Sequence, residues 1–352
     1  IPFNLPSLLV AMIICSAIPL AYVLFNQTYF YHPQIKKNNL IVILIFYALF
    51  LVSYLPYGVI AGDYEALLRK INGLLFSPII GLLAVGFIIT QYSYRDIRRS
   101  FIAIGLIFLC LTVVYKFAFG FSDRQVRFFL NGPIVFSWLC GTIFLFTKYN
   151  EIDRNKLHYF LLFFLFISMI WSGSKGPILA LIVTLLIYGK IRNILVFGTF
   201  VSALIWGLVT LNLFPERFLV FYEIYQDPRL VNEISSFSIR MQLFLNSISY
   251  ISENPIIGVG LTNFASISTG HGQTYPHNLL LEAAVEAGVI SALFLLLMLL
   301  TLFFSFTKWS LSRAALIFLL MCTMISGDLS YVRFVLLVPF LAMKNSRRQA
   351  VF

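Results

Sequence analysis

The sequence predicts an all-α, polytopic membrane helix bundle of about eleven spans, with one large external loop that contains an amphipathic helix. Three observations predict it. Apolar residues make up 60% of the 352-residue chain and charged residues 11%, against about 25% charged in an average soluble domain. Mean hydropathy is +0.91. The apolar residues come in runs close to the roughly 20 residues that cross a bilayer, and short basic clusters separate them. A soluble fold of this length has no interior large enough for so much apolar surface, whereas lipid accepts it.

Spans are expected at about 7–25, 40–57, 74–92, 101–119, 129–147, 157–170, 177–188, 194–213, 277–306, 314–326 and 331–343. The ninth is long enough to project beyond the bilayer. Orientation follows from the basic residues of alternating loops. One side carries Lys36, Lys37, Arg95, Arg98, Arg99, Lys148, Arg154, Lys156, Lys190, Arg192, Lys308, Arg313, Lys344, Arg347 and Arg348, and only three of the 14 acidic residues, Asp96, Glu151 and Asp153. That side is expected to be cytoplasmic. Eleven spans and a cytoplasmic C-terminus place Ile1 outside; one further span ahead of Ile1 would give twelve, with both ends inside. Three regions result: spans 1–8 over 1–213, the large external loop over 214–276, and spans 9–11 with a cytoplasmic tail over 277–352.

The net charge of +11 does not point to nucleic acid. The basic clusters are small, lack aromatic interleaving, and are accounted for by topology. Cys15, Cys110, Cys140 and Cys322 all lie inside apolar runs with no Cys-x-x-Cys or Cys/His spacing, so neither a zinc site nor a disulfide framework is expected. No metal and no cofactor is expected.

The large loop is patterned. From Ser236 to Asn254, Phe237, Met241, Phe244, Leu245, Ile248 and Ile251 recur at helical spacing, and Pro255 marks the end. The expectation is a helix lying over the mouth of the bundle, with Arg240 on its inner part. Asn254-Pro255-Ile256-Ile257-Gly258-Val259-Gly260 follows; its Gly-x-Gly sits outside any strand–helix unit, so a sharp re-entry turn is favoured over a dinucleotide loop.

Polar residues near membrane depth are costly and therefore informative. Ser172-Gly173-Ser174-Lys175-Gly176-Pro177 reads as a tight external turn, with Lys175 either snorkelling or offering a cation at the membrane edge. Arg240 either meets a lipid phosphate or a loop acid such as Glu233, or serves a site. His277 opens the ninth span where a proton-transfer group would meet water and headgroups, or caps the helix. On that helix Leu281, Ala284 and Gly288 share the His277 face, while Glu286 falls nearly opposite, so no His–Glu dyad is expected. His271 is a possible second player, and Asp328 with Arg333 is expected to form a structural ion pair.

His277-Asn278, nine residues and then Gly288 resembles the signature of the O-antigen ligase and O-antigen polymerase superfamily. Ser174-Lys175-Gly176, Arg240 and Asn254–Gly260 occur in the order found there, so the similarity covers roughly residues 170–290. The resemblance implies a metal-independent, multi-span glycosyltransferase of a bacterial inner membrane. Its donor would be a glycan on undecaprenyl diphosphate and its active face periplasmic, with inversion at the anomeric carbon. His277 and Arg240 would be catalytic. Lys175 and Arg240 would bind the diphosphate, supported by Asn278, Gly288, Glu286 and Ser174. Lys175 stands where the family usually has Arg, which keeps the charge and loses the bidentate grip.

Two acceptors are compatible with that donor: a second lipid-linked repeat unit, as in a polymerase, or lipid A–core, as in a ligase. Leu281-Glu282 and Gly327-Asp328 resemble polymerases, which sets the preferred reading. Ser291, where ligases often carry Gly, Thr or Tyr, points the same way. A chain-length regulator is a candidate partner. The rival class, a non-catalytic transporter of the same lipid, would show inverted repeats or charges deep in several spans; the sequence shows neither.

Overall fold

The computed structural model describes residues 37–60, 64–121, 132–149, 156–188, 191–211, 213, 236–264, 275–306 and 310–342. The expected span at 7–25, together with His271 and Glu233, lies outside them. Within the described residues the chain is helical throughout: α1 (Lys37–Tyr54), α2 (Tyr64–Ile71), α3 (Ser77–Gln91), α4 (Tyr94–Phe119), α5 (Pro133–Lys148), α6 (Lys156–Trp171), α7 (Lys175–Tyr188), α8 (Ile191–Thr210), α9 (Ser236–Glu253), α10 (Leu279–Ser305), α11 (Leu311–Ser326) and α12 (Val332–Ala342). Four stretches are long and apolar enough to cross a membrane, Asn39–Gly58, Glu65–Ile89, Arg99–Phe119 and Leu279–Ser305, and six shorter apolar helices accompany them. This is a polytopic membrane helical protein.

Local chemistry explains the boundaries. Ser93 and Asp96 form a reciprocal capping box at the start of α4. Pro133 occupies the first turn of α5, where its missing N–H costs nothing. The Ser310 hydroxyl accepts from the Arg313 N–H to open α11, 3.2 Å.

One boundary departs from expectation. The third span was placed at 74–92, but its helix begins ten residues earlier. It runs from Tyr64 through a π turn at Asn72–Phe76 into α3. Glu65, Arg69 and Lys70 interrupt the apolar run there and hide the helix in the sequence. The charge of Lys70 is met inside the fold, so the helix tolerates it. At the π turn Gly73 is buried, and a Cβ there would stand 2.9 Å from Ser330 Cα. Only a glycine admits the short 3-10 turn Leu329–Tyr331 that closely.

The chain divides into two compact units. The first holds α1–α3, α9, α10 and α12; there α1 and α9 both pack on α10, and α12 packs on α3. The second holds α4–α8 and residues 314–322. Its core is aromatic, with Phe101 stacked on Phe146 at 4.3 Å and Phe108 against Phe136 at 5.4 Å.

Candidate functional site

The site-bearing part of the first unit is built around a break in α10. Asn278 caps this helix: its side-chain oxygen accepts from the N–H groups of Leu280 and Leu281, both 3.1 Å, and its amide donates to the Met324 carbonyl, 3.2 Å. The cap is therefore Asn278, which leaves the His277 side chain for other work. His277 itself sits in the left-handed region, φ 59°, a conformation strained for a residue with a Cβ. It turns its ring edge-on to Tyr275, 4.5 Å between centroids.

Nine residues into α10 the helix breaks, with Ala287 at φ −135° and Gly288 at φ 84°. The Asn254–Phe264 segment uses the freed backbone groups. The Val259 and Gly260 N–H groups donate to the Val285 and Glu286 carbonyls, 2.8 and 3.0 Å, and the Val289 N–H donates to the Pro255 carbonyl, 2.8 Å. A Cβ on Gly258 would stand 2.5 Å from the Val285 oxygen, and one on Gly288 would collide with the Ile256 carbonyl. Both glycines sit at positive φ, +70° and +84°. The two motifs that looked separate in sequence are one backbone lock. The re-entry turn expected at Asn254–Gly260 is this lock.

The lock sets Glu286 into a buried polar cluster. Lys70 pairs with Glu282 at 2.6 Å and with Glu286, and the two carboxylates are fully buried. Glu286 also accepts from the Tyr54 hydroxyl and from the Thr262 N–H, 3.0 Å, while Glu282 accepts from the Leu329 N–H, 2.8 Å. Every one of these contacts satisfies a charge that lipid or core would otherwise leave uncompensated. Glu286 thus serves Lys70. The sequence reading missed Lys70, Tyr54 and this role of Glu282. The available signal was an i, i+4 pair of glutamates inside an apolar helix, which demands a cation.

Tyr275 is near enough to feel the Glu282 carboxylate, and it also feels the charge of Arg240 and meets the His277 ring. Burial, and then the Arg240 charge, push the His277 imidazole down from 6.5 to about 4. The Tyr275 hydroxyl is pushed well above its ordinary value by burial first and then by the Asp328 carboxylate. The expected Asp328–Arg333 ion pair is not formed. Asp328 instead caps the turn Leu329–Tyr331, accepting from the Ser330 N–H at 2.8 Å. Arg333 reaches Ser77 Oγ at 3.4 Å and lies over the Phe334 ring. A carboxylate with two donors on Ser330, two residues away, gains more from capping than from a flexible cation five residues along the chain.

Lys175 and Ser174 belong to the second unit. The Ser172 hydroxyl donates to the Met169 carbonyl, 2.7 Å, and accepts from the Ser174 N–H, 3.3 Å, while Gly173 takes φ 66°. Ser174 is buried, and half-buried Lys175 begins α7. The expected tight turn is present. Among the described residues no group of three or more His, Cys, Asp or Glu side chains is arranged to hold a metal ion.

No curated protein and no solved structure matches the chain. Residues 160–296 match the family described as O-antigen ligase. That segment contains Lys175, α9 with Arg240, the Asn254–Gly260 turn and His277–Gly288, whereas Lys70, Tyr54 and Leu329 lie outside it. Over that stretch, 137 of the 352 residues, the chain is similar to the O-antigen ligase family.

Proposed function

We propose that this protein transfers a glycan from undecaprenyl diphosphate to an acceptor hydroxyl at the periplasmic face of the inner membrane, and that it is a polymerase whose acceptor is a second lipid-linked repeat unit. The observation that carries the reading is the nearness of Arg240 to His277: burial first, and then the guanidinium charge, keep the imidazole neutral well below pH 7.

The reaction balances on these groups. The acceptor oxygen attacks the anomeric carbon and the bond from that carbon to the diphosphate oxygen breaks. The electron pair leaves with the diphosphate, and the acceptor proton passes to His277. A neutral imidazole is the form able to take it. Arg240 meets the charge that develops on the leaving group, and Lys175 is the second cation assigned to the diphosphate, so no divalent metal is needed. The donor also tunes the base. Its negative charge offsets that of Arg240, which raises the proton affinity of His277 when substrate is bound.

The polymerase preference rests on resemblance. Glu282 and the Gly327-Asp328 turn, the two features that resemble polymerases, are joined by the Leu329 N–H bond to Glu282. The ligase is the second reading, favoured by the description of the matching family.

The test is transfer by the purified protein from an undecaprenyl diphosphate-linked repeat unit, with and without lipid A–core, beside His277→Ala and Arg240→Ala. A product ladder without core, lost in both variants, is the expected result. Product only with core makes the protein a ligase. Variants as active as the parent sink the roles given to His277 and Arg240. Parent protein without product, on donor and acceptor validated with another transferase, leaves the transporter.

A further inference from the structure

The helix of the large loop does not turn its apolar stripe inward. At 100° per residue α9 has three faces. Leu243, Ser247, Tyr250 and Ile251 face the protein, where Leu243 joins Phe264 and Val285 in a small core. A second arc holds Gln242, Ser249 and Glu253, all exposed and polar. The third arc holds Met241 (48% exposed), Phe244 (42%), Leu245 (54%) and Ile248 (47%), and beyond the helix end Ile256 (64%) and Ile257 (53%) continue it. Six large apolar side chains thus face away from the protein on a segment counted as an external loop.

The depth of that segment says what covers them. Its backbone is tied to the ends of two spans: the Leu261 N–H approaches the Tyr57 carbonyl at the end of Asn39–Gly58, and Pro255 accepts from Val289 just past the α10 break. Gly288 to Ser305 is about 27 Å of helix at 1.5 Å per residue, which alone matches a hydrocarbon core of about 30 Å. The break, and Ile256 upon it, therefore stand at the hydrocarbon boundary. Three faces in contact with protein, water and something apolar are what a helix lying in a membrane interface requires.

We propose that α9 and the Pro255–Ile257 turn are embedded in the leaflet at this end of the spans, with Met241, Phe244, Leu245, Ile248, Ile256 and Ile257 in contact with lipid acyl chains. The occupant is lipid rather than a partner protein because the stripe is continuous in depth and chemistry with the exposed apolar residues of α10 below it, Val289, Ile290 and Leu293. This inference rests on the membrane architecture alone. The transfer reaction can fail its test while this stands.

The experiment is site-directed spin labelling of the full chain in phosphatidylethanolamine/phosphatidylglycerol vesicles, with the native cysteines replaced. Labels go at Phe244→Cys, Ile248→Cys and Ile257→Cys, with Gln242→Cys and Ser249→Cys as the water-facing set. Broadening by oxygen, which concentrates in lipid, is compared with broadening by a water-soluble nickel chelate. The expected result is an oxygen-to-nickel ratio several-fold higher at the first three positions than at the last two. Nickel access at all five overturns the proposal, since the helix then lies in water. Exclusion of both reagents at Phe244 and Ile248 also overturns it, since protein then covers the stripe.

Discussion

The two halves of α10, on either side of the break at Ala287 and Gly288, differ in chemistry. Before Gly288, every residue from Glu282 to Gly288 is buried, two are glutamates, and two backbone carbonyls bond outside the helix. After it, Val289, Ile290, Leu293, Leu296, Leu300 and Phe304 are exposed along an apolar surface, with a buried line of Leu295, Met298 and Leu302 behind them. The first half needs protein on all sides because its carboxylates and freed carbonyls have no partner in lipid. The second needs protein on one side only. Enclosure, and not hydropathy alone, separates the part of a membrane helix that can carry chemistry from the part that only spans.

The largest expected effect is on chemistry just ahead of the first half. His277→Ala should cut transfer by about 10²–10⁴-fold, the usual worth of a positioned base, without lowering thermal stability. A similar loss in Leu293→Ala would erase the distinction between the halves.

Next is the charge cluster. Lys70→Met strands two buried carboxylates and should destabilise by about 3–5 kcal/mol, seen as a drop in Tm and in folded yield. Combining it with Glu286→Gln should recover part of the loss, because removing both partners is milder than orphaning one. A Lys70→Met protein as stable as the parent would mean that the cluster is not what encloses the first half.

The cap comes third. Asn278→Ala removes an acceptor for two N–H groups and a donor to Met324, and should cost about 0.5–2 kcal/mol by thermal unfolding. Fourth, His277 should titrate near 4 in the free protein. Its proton affinity is lower folded than unfolded, so its contribution to stability is present above about 6.5 and is lost as pH falls through that range toward 4. In Arg240→Ala the histidine titration should move up. No movement would show that burial alone sets it. Smallest is Leu293→Ala on the lipid-facing side, expected to stay within about 0.5 kcal/mol of the parent.

Much of this was legible in the chain. The apolar runs placed ten of the described helices, and the i, i+3, i+4 pattern placed α9 to within a residue. Of the residues expected to serve one site, His277 and Arg240 fall in one unit with the Asn254–Gly260 turn that interlocks with α10, whereas Lys175 and Ser174 fall in the other. What was not legible has identifiable causes. Lys70 looked like a loop lysine because its two partners lie more than 200 residues away. The period of α9 marked an apolar stripe but not what it meets, because in water apolar means inward. At a bilayer it does not, since lipid tails are as apolar as a core. Asp328 and Arg333 were paired on proximity in sequence, which ignores the cap that the nearer backbone offers.

The sequence by itself determined the helical membrane class, the positions of the spans and the residue types available for chemistry, because each follows from local composition and period. Only the tertiary structure decided that Gly258 and Gly288 are two sides of one contact, that Lys70 neutralises Glu282 and Glu286, and that Arg240 acts on His277. Those are distances between remote parts of the chain, and burial and Coulombic coupling depend on distances that no local pattern encodes.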